Sequence, residues 1–149
     1  MNGKKIRFGI VGTGTIAHRF ANAIKNVENA QLVAVASRTK ENAENFGDEF
    51  DIPVRFDSYE KMAVSDVIDA AYIAVPHSGH ITCSALMMNN KKHVICEKAM
   101  ALTEADAKEM FALAKEKNLF LMEAMWSRFL PSVQTAKKWL EEGRIGQVQ

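Results

Sequence analysis

A carboxylate and an ammonium, Glu97 and Lys98, stand side by side after the apolar segment VIC at residues 94–96. A lysine amine held near a reacting oxygen can stabilise a developing alkoxide and help to move a proton, and burial lowers its pKa toward useful values. A single lysine at a strand end is more often a solvated cation. A catalytic role for Lys98 therefore requires other functional groups that converge on the same place.

A glycine-rich segment supplies the first such group. GTGTIA, residues 12–17, fits the GxGxxA pattern of dinucleotide-binding loops, with an apolar segment before it and an amphipathic one after it. Gly12 allows a tight turn, Gly14 lets the backbone approach a pyrophosphate, and Ala17 permits close packing of helix on strand. The phosphates would face the free N–H groups at the helix start, those of Thr15, Ile16 and Ala17. This context favours a nucleotide site over an ordinary glycine turn.

The end of the second apolar segment indicates which nucleotide binds. NAD sites commonly carry Asp or Glu at this place to accept hydrogen bonds from the adenosine ribose, whereas this chain has Ser37 and Arg38. A guanidinium can donate two hydrogen bonds to a phosphate and a hydroxyl can donate another. We therefore expect NADP rather than NAD, against the simpler reading of Arg38 as a solvated loop cation.

Two more segment ends carry polar groups. His77 and His80 follow Pro76 at the end of the fourth apolar segment, and Glu123 lies at the end of the sixth. In a parallel sheet these ends share one edge, where ligands of doubly wound domains bind. Convergence at this edge favours function for Lys98 and, more weakly, for His80, since a lone histidine is more often a surface or capping residue.

The elements that must position these residues follow from hydrophobic periodicity. Six β-rich apolar segments are predicted as strands, and stretches with helical spacing separate them, one opened by Thr103 and Asp106 as a capping box. The predicted strands are 4–11, 31–37, 54–56, 69–76, 93–98 and 119–124. Apolar strands that alternate with helices indicate a doubly wound parallel sheet in a three-layer α/β/α domain, the Rossmann architecture.

Composition narrows the class of protein. The 149 residues suffice for one well-buried domain, and a net charge of +1 gives no reason to expect nucleic acid or a membrane surface as partner. Without a long apolar run or a cleavage site, the chain is expected to be cytoplasmic. Cys83 and Cys96 lack metal-binding or redox spacing, so we predict buried free thiols and no metal site.

Five segments together resemble a known family. GTGTIA, ASR, VPHSGH, CEKAMALT and LMEAMWSRFLP occur in the order and spacing of the glucose-fructose oxidoreductase and inositol dehydrogenase (Gfo/Idh/MocA) family, and are most similar to its dihydrodiol dehydrogenase branch. The resemblance implies NAD(P)-dependent hydride transfer on a sugar, a polyol or a related carbonyl compound. It also implies a homo-oligomeric full-length enzyme.

The resemblance assigns roles to several residues. Lys98 inherits the contact to the reacting oxygen, Glu97 lies near the nicotinamide ribose, and His80 lies beside the nicotinamide. The same resemblance places an aromatic and a cation at the mouth of the site. The remaining residues expected at the cofactor are Pro76, His77, Trp126 and Arg128, with Phe129 beside them.

Two departures from the family pattern lead to further expectations. Ala99 replaces the family proline, and because a cis bond without proline costs about 2.5 to 4 kcal/mol, we expect a trans bond after Lys98. We expect residues 1–124 to form the dinucleotide-binding domain and residues 125–149 to lead into a truncated substrate domain, with Ile145 and Val148 starting a strand. Such a chain should bind cofactor without turnover. A nucleotide-binding sensor or interaction module, and an α/β domain without cofactor, are the alternatives.

Overall fold

The computed structural model describes residues 3–147, and its centre is a six-stranded parallel sheet. The strands lie in the order β3-β2-β1-β4-β5-β6. Their bounds are β1 Ile6–Val11, β2 Ala30–Ala36, β3 Val54–Phe56, β4 Ala70–Ile73, β5 His93–Cys96 and β6 Leu121–Glu123. The doubly wound parallel sheet predicted from the sequence is confirmed, with several strands shorter at their ends than predicted.

Helices connect the strands and cover both faces of the sheet. Their bounds are α1 Thr15–Ile24, α2 Lys40–Phe50, α3 Tyr59–Val64, α4 His80–Asn89, α5 Glu104–Glu116 and α6 Pro131–Glu141, with short 3-10 turns at His77–Gly79 and Trp126–Phe129. The hydroxyl of Thr103 accepts the amide N–H of Asp106 at 3.1 Å, so the predicted cap of α5 is present. Helix α3 is too short to show a helical period and was not predicted.

Alternating strand residues divide the core into two layers. Ile10 and Val35 pack with α1 and α2 on one face, while the next residues along the strands, Val11 and Ala36, pack with α3, α4 and α5 on the other. Side chains two residues apart share a face of a strand, so an apolar run buries both faces. This explains why the sequence shows continuous apolar segments instead of alternation.

The chain changes direction at the centre of the sheet. From β1 it winds outward through β2 and β3, then returns to the other side of β1 to build β4, β5 and β6. The loops after β1 and β4 therefore diverge to opposite faces and leave a crevice between them at the carboxyl ends of the strands. The glycine loop and Pro76 both lie at this crevice.

The amino-terminal edge of the sheet is closed by an ion pair. Arg7 at the start of β1 donates to both carboxylate oxygens of Asp69, at 2.6 and 3.1 Å, and its backbone N–H donates to the same carboxylate at 2.9 Å. These bonds lower the pKa of Asp69 to about 2, against its ordinary 3.8. The pair ties β1 to the residue preceding β4, far from the crevice.

The prediction of buried free cysteines is confirmed, and the prediction of a strand starting at Ile145 is not. Cys83 and Cys96 are buried and free, as predicted, and burial raises their pKa values to about 11 and about 12. Ile145 lies in a turn after α6, so the strand expected there does not begin at this residue, and Val148 lies outside the described residues. Among residues 3–147, no helix combines the length and apolar character needed to cross a membrane.

Candidate functional site

The glycine loop has the geometry of a phosphate-binding turn. Gly12 adopts φ +98°, and a Cβ at this position would lie 2.7 Å from the carbonyl oxygen of Ala74 at the end of β4. Gly14 caps the start of α1, and a Cβ there would meet nothing within 4 Å. Ala17 is fully buried against the sheet. The turn thus leaves open space in front of the helix N-terminus, where N–H groups attract an anion.

A cavity of about 510 Å³ extends from this turn along the carboxyl ends of the strands. Predicted cofactor residues Gly12, Gly14, Ser37, Arg38 and Pro76 line it. Its lining residues, all within 3–147, include no Asp or Glu. Ser37 is buried and its amide donates to the Phe56 carbonyl at 3.0 Å, whereas the Arg38 side chain is exposed. The walls therefore offer hydroxyl, guanidinium and N–H donors and suit a phosphorylated ligand.

Four polar side chains in this wall were missed by the sequence analysis. Thr13, Thr39, Asn42 and Tyr59 line the same cavity. Thr39 caps α2 by accepting the Asn42 amide at 3.3 Å, and burial raises the pKa of Tyr59. A signal for Tyr59 was available, because it follows β3, whose carboxyl end shares the edge already identified from the other strands.

The backbone around Lys98 is bonded by side chains from three other segments. The Lys98 carbonyl lies 3.1 Å from Nε2 of His77, and the Ala99 carbonyl lies 2.9 Å from Nδ1 of His80. The Met100 amide donates to Oε1 of Glu123 at 2.9 Å. The polar residues that the sequence placed along one edge thus do come together there, and they meet at the Lys98 segment.

Glu97 is a buried carboxyl group with both oxygens engaged. It is 6% exposed; Oε2 accepts the Lys98 amide at 3.0 Å, and Oε1 accepts the hydroxyl of Tyr72. Tyr72 belongs to β4, and its ring stacks on Phe20 of α1 with centroids 3.8 Å apart. Burial, followed by the bond to Glu97, raises the pKa of Tyr72, so its hydroxyl remains a donor.

The bond between Lys98 and Ala99 is cis, so the expectation of a trans bond was wrong. That expectation considered only the residue types on either side of the bond. The carbonyl of this bond, that of Lys98, and the next carbonyl, that of Ala99, are hydrogen-bonded to His77 and His80, which lie about twenty residues earlier in the chain. Lys98 is exposed and follows the end of β5, the strand beside β4.

Two predicted cofactor residues lie in another part of the surface. Trp126 and Arg128 belong to the turn after β6, and both are exposed. Arg128 lines a second depression of about 620 Å³ between β6, α5 and α6, together with apolar side chains such as Phe129 and Val133. The glycine turn and the β2 end line the smaller cavity and not this depression.

The donors present fit a dinucleotide. An open helix N-terminus suits a pyrophosphate, and Ser37 with Arg38 at the β2 end can donate to an adenosine ribose or its 2′-phosphate. Thr15 and Ile16 open α1 and present N–H groups to this space. Pro76 lines the cavity at the β4 end, and Nε2 of the next residue, His77, lies 3.1 Å from the Lys98 carbonyl.

Comparison with known proteins finds a matching family and similar dehydrogenases. Residues 6–125 match the family described as "Oxidoreductase family, NAD-binding Rossmann fold" (GFO_IDH_MocA). Over 146 residues the chain is 38% identical to trans-1,2-dihydrobenzene-1,2-diol dehydrogenase of Mus musculus, an alignment that covers 97% of this chain and 44% of that protein. Over 144 residues it is 41% identical to scyllo-inositol 2-dehydrogenase (NADP(+)) of Bacillus subtilis (strain 168), with 97% and 43% covered.

A solved structure of a dehydrogenase has the same fold over its matching part. The crystal structure of scyllo-inositol dehydrogenase from Lactobacillus casei with bound NAD(H) and scyllo-inositol superposes with a TM-score of 0.89 and 27% identity, covering 97% of this chain and 43% of that one. The chain spans less than half the length of the relatives it matches. On the family match and the geometry of its crevice, this chain belongs to the Gfo/Idh/MocA oxidoreductase family, of which it is an NAD(P)-binding Rossmann domain.

Proposed function

We propose that this chain is the cofactor domain of an NADP-dependent oxidoreductase that acts on a CH–OH group of a sugar, a polyol or a related carbonyl compound. The observation that carries the proposal is a single cavity joining the open glycine turn to Ser37 and Arg38, with Lys98 at a neighbouring strand end. Relatives named as dehydrogenases of a diol and of an inositol support the substrate class.

The proposed preference for NADP rests on the β2 end. Arg38 and Ser37 can both donate to a 2′-phosphate, and the cavity lining contains no carboxylate to accept from a free 2′-hydroxyl. The pyrophosphate would lie against Gly12, Gly14 and the first N–H groups of α1. One similar protein is named for NADP(+) and another contains NAD(H), so the preference is argued from this chain's own residues.

Lys98 is the proposed catalytic residue. When bound, the nicotinamide cofactor supplies the hydride chemistry. The Lys98 ammonium, exposed where the crevice opens, would donate to the substrate oxygen and help to move its proton, and a positive charge there stabilises developing alkoxide. Pro76 and His77 would border the nicotinamide half of the site, with His80 and Glu97 behind them. Trp126 and Arg128 would flank cofactor or substrate from the turn after β6.

We further propose the organisation of the whole enzyme. Residues 1–124 would form the dinucleotide-binding domain, and residues 125–149 would lead toward a substrate domain of a homo-oligomeric enzyme. Two free buried thiols suit the cytoplasm. The chain of 149 residues should bind cofactor with little turnover, since orienting a substrate and excluding water require walls on every side.

Titration of the chain with NADPH and NADH tests the proposal directly. Intrinsic tryptophan fluorescence is followed as each cofactor is added. We expect saturable binding of both cofactors, tighter for NADPH. Absence of binding for both would refute the cofactor site, and tighter binding of NADH would refute the role given to Ser37 and Arg38.

A further inference from the structure

The polar side-chain atoms of Glu97 and His80 all lie within hydrogen-bond distance of other groups of the protein. Glu97 and His80 are 6% and 1% exposed. Both oxygens of Glu97 accept hydrogen bonds, from the Lys98 amide and from Tyr72. Both ring nitrogens of His80 lie within 3.0 Å of backbone carbonyls, those of Val75 and Ala99. Neither residue has a polar atom left to present to a ligand in the crevice.

Glu123, at the end of β6, also bonds to the backbone of residues 98–100. Its Oε1 accepts the Met100 amide at 2.9 Å, and Cys96 Sγ lies 3.9 Å from the Met100 carbonyl. Glu97 follows β5, His80 is the first residue of α4, and Glu123 is the last residue of β6. Apart from the Cys96 contact, four backbone polar groups of residues 98–100 thus have side-chain partners that the helix and strand ladders do not supply, the fourth partner being His77 at the Lys98 carbonyl.

We propose that Glu97, His80 and Glu123 are positioning residues that fix the backbone of residues 98–100, and so the place of the Lys98 amine, rather than ligands of the cofactor. The inference rests on the proposed function of Lys98. A side chain with four rotatable bonds is directed by its backbone only where that backbone is rigid, and a misplacement of 1 Å can cost about a hundredfold in rate. Tyr72 acts one step further away, by orienting Glu97.

The two glutamates give the sharpest test, because a glutamine side chain still accepts a hydrogen bond but carries no charge. We compare Glu123→Ala with Glu123→Gln, and Glu97→Ala with Glu97→Gln, in the 149-residue chain. Hydrogen exchange of the Lys98 and Met100 amides is followed by NMR, and NADPH affinity by titration. Glu109→Ala, an exposed change on α5, is the control.

For Glu123→Ala we expect exchange at Met100 to accelerate about tenfold or more, as for a lost hydrogen bond, while NADPH affinity stays within about threefold, because Glu123 does not bind the cofactor. Glu123→Gln should keep both within about threefold, because the amide oxygen replaces the carboxylate. The Glu97 pair should behave in the same way at the Lys98 amide. Since Glu97→Ala can unfold this buried site, the Glu123 pair alone is sufficient.

Two outcomes would overturn the inference. If glutamine weakens NADPH binding while the Met100 amide stays protected, the carboxylate acts on the cofactor through its charge. If Glu123→Ala leaves exchange at Met100 unchanged, the contact does not position the segment. Failure of the unmodified chain to bind NADPH would instead refute the proposed function, and the exchange data would still decide whether the glutamates hold residues 98–100.

Discussion

Lys98 and Arg38 are both exposed cations at the carboxyl ends of strands, but their surroundings differ. Arg38 lines the cavity that starts at the glycine turn, whereas Lys98 projects from a segment that side chains hold at four backbone atoms. We therefore expect substitution of Arg38 to change which cofactor binds. Substitution of Lys98 should lower the rate of the reaction and leave cofactor binding nearly unchanged.

Replacing Arg38 by alanine should weaken NADPH binding by about ten- to a hundredfold, because hydrogen bonds to a charged group contribute about 1.5–3 kcal/mol. NADH lacks the 2′-phosphate, so its affinity should change by less than about threefold. Titration of both cofactors measures this difference. Arg19→Ala, which removes an exposed guanidinium from α1, is the matched control. Equal losses for both cofactors would contradict the assignment of Arg38 to the 2′-phosphate.

Replacing Lys98 by methionine should leave NADPH affinity within about threefold and lower kcat of the full enzyme by about 10²- to 10⁴-fold, the range of a lost general acid or base. Methionine keeps much of the side-chain volume and removes the donor. Steady-state kinetics with a polyol substrate provide the measurement. Lys108→Met, on the exposed side of α5, should have no effect. An unaffected kcat for the Lys98 variant would show that another group moves the proton.

At the scale of elements, the turn between β1 and α1 contains two glycines, Gly12 and Gly14, that meet different requirements. Gly12 is required by the fold, because φ +98° and the nearby Ala74 carbonyl exclude a side chain. Neither restriction applies to Gly14, because its φ is −80° and a Cβ there would meet nothing within 4 Å. A glycine that the free protein does not need is consistent with close approach of a ligand.

Alanine substitutions should separate these two requirements. Gly12→Ala should lower the free energy of unfolding by about 1–3 kcal/mol, because the turn would have to move. Gly14→Ala should cost about 1 kcal/mol or less as a poorer N-cap, yet weaken NADPH binding by about tenfold or more. Urea denaturation and cofactor titration of both variants give the two quantities. Unchanged NADPH affinity in Gly14→Ala would argue that the pyrophosphate lies elsewhere.

At the scale of the whole molecule, the described chain has one surface that is unusually apolar. Trp126, Phe129 and Trp139 are 59%, 62% and 45% exposed, and they belong to α6 and the turn before it. Exposed aromatic side chains favour association. We therefore predict that the 149-residue chain self-associates as its concentration rises, and that Phe129→Gln with Trp139→Gln reduces this association. Light scattering across a concentration series tests it, and a monodisperse monomer for the unmodified chain would contradict it.

The ion pair between Arg7 and Asp69, at the amino-terminal edge of the sheet, should make the stability of the chain depend on pH in acid. Asp69 titrates at about 2 in the folded chain, below its ordinary 3.8, because it is bonded to Arg7. A lowered folded-state pKa adds stability above about pH 4, and this contribution is lost as pH falls through 2. Asp69→Asn should therefore lower the thermal midpoint at pH 7, and the difference from the unmodified chain should vanish near pH 2.

Thermal melts of both proteins between pH 2 and pH 7 measure this difference. Glu28→Gln removes one exposed carboxylate and serves as the charge-matched control. A constant difference between the Asp69 variant and the unmodified chain across this range would show that the ion pair with Arg7 does not contribute through titration.

The sequence by itself determined the sheet, its helices apart from the short α3, and the glycine turn. Each depends on short-range patterns: strand-like runs of three to eight residues, helical spacing, and GxGxxA directly after a strand. Tertiary structure decided how the polar side chains at the strand ends are used. His80, Glu97 and Glu123 were read as groups facing the crevice, but they bond to Ala99, Tyr72 and Met100, which lie 19, 25 and 23 residues away in sequence. Such partners are fixed only when neighbouring strands and loops pack, and no local pattern records them. For the same reason the cis bond at Ala99 and the place of Tyr59 in the cavity wall became visible only in the folded chain.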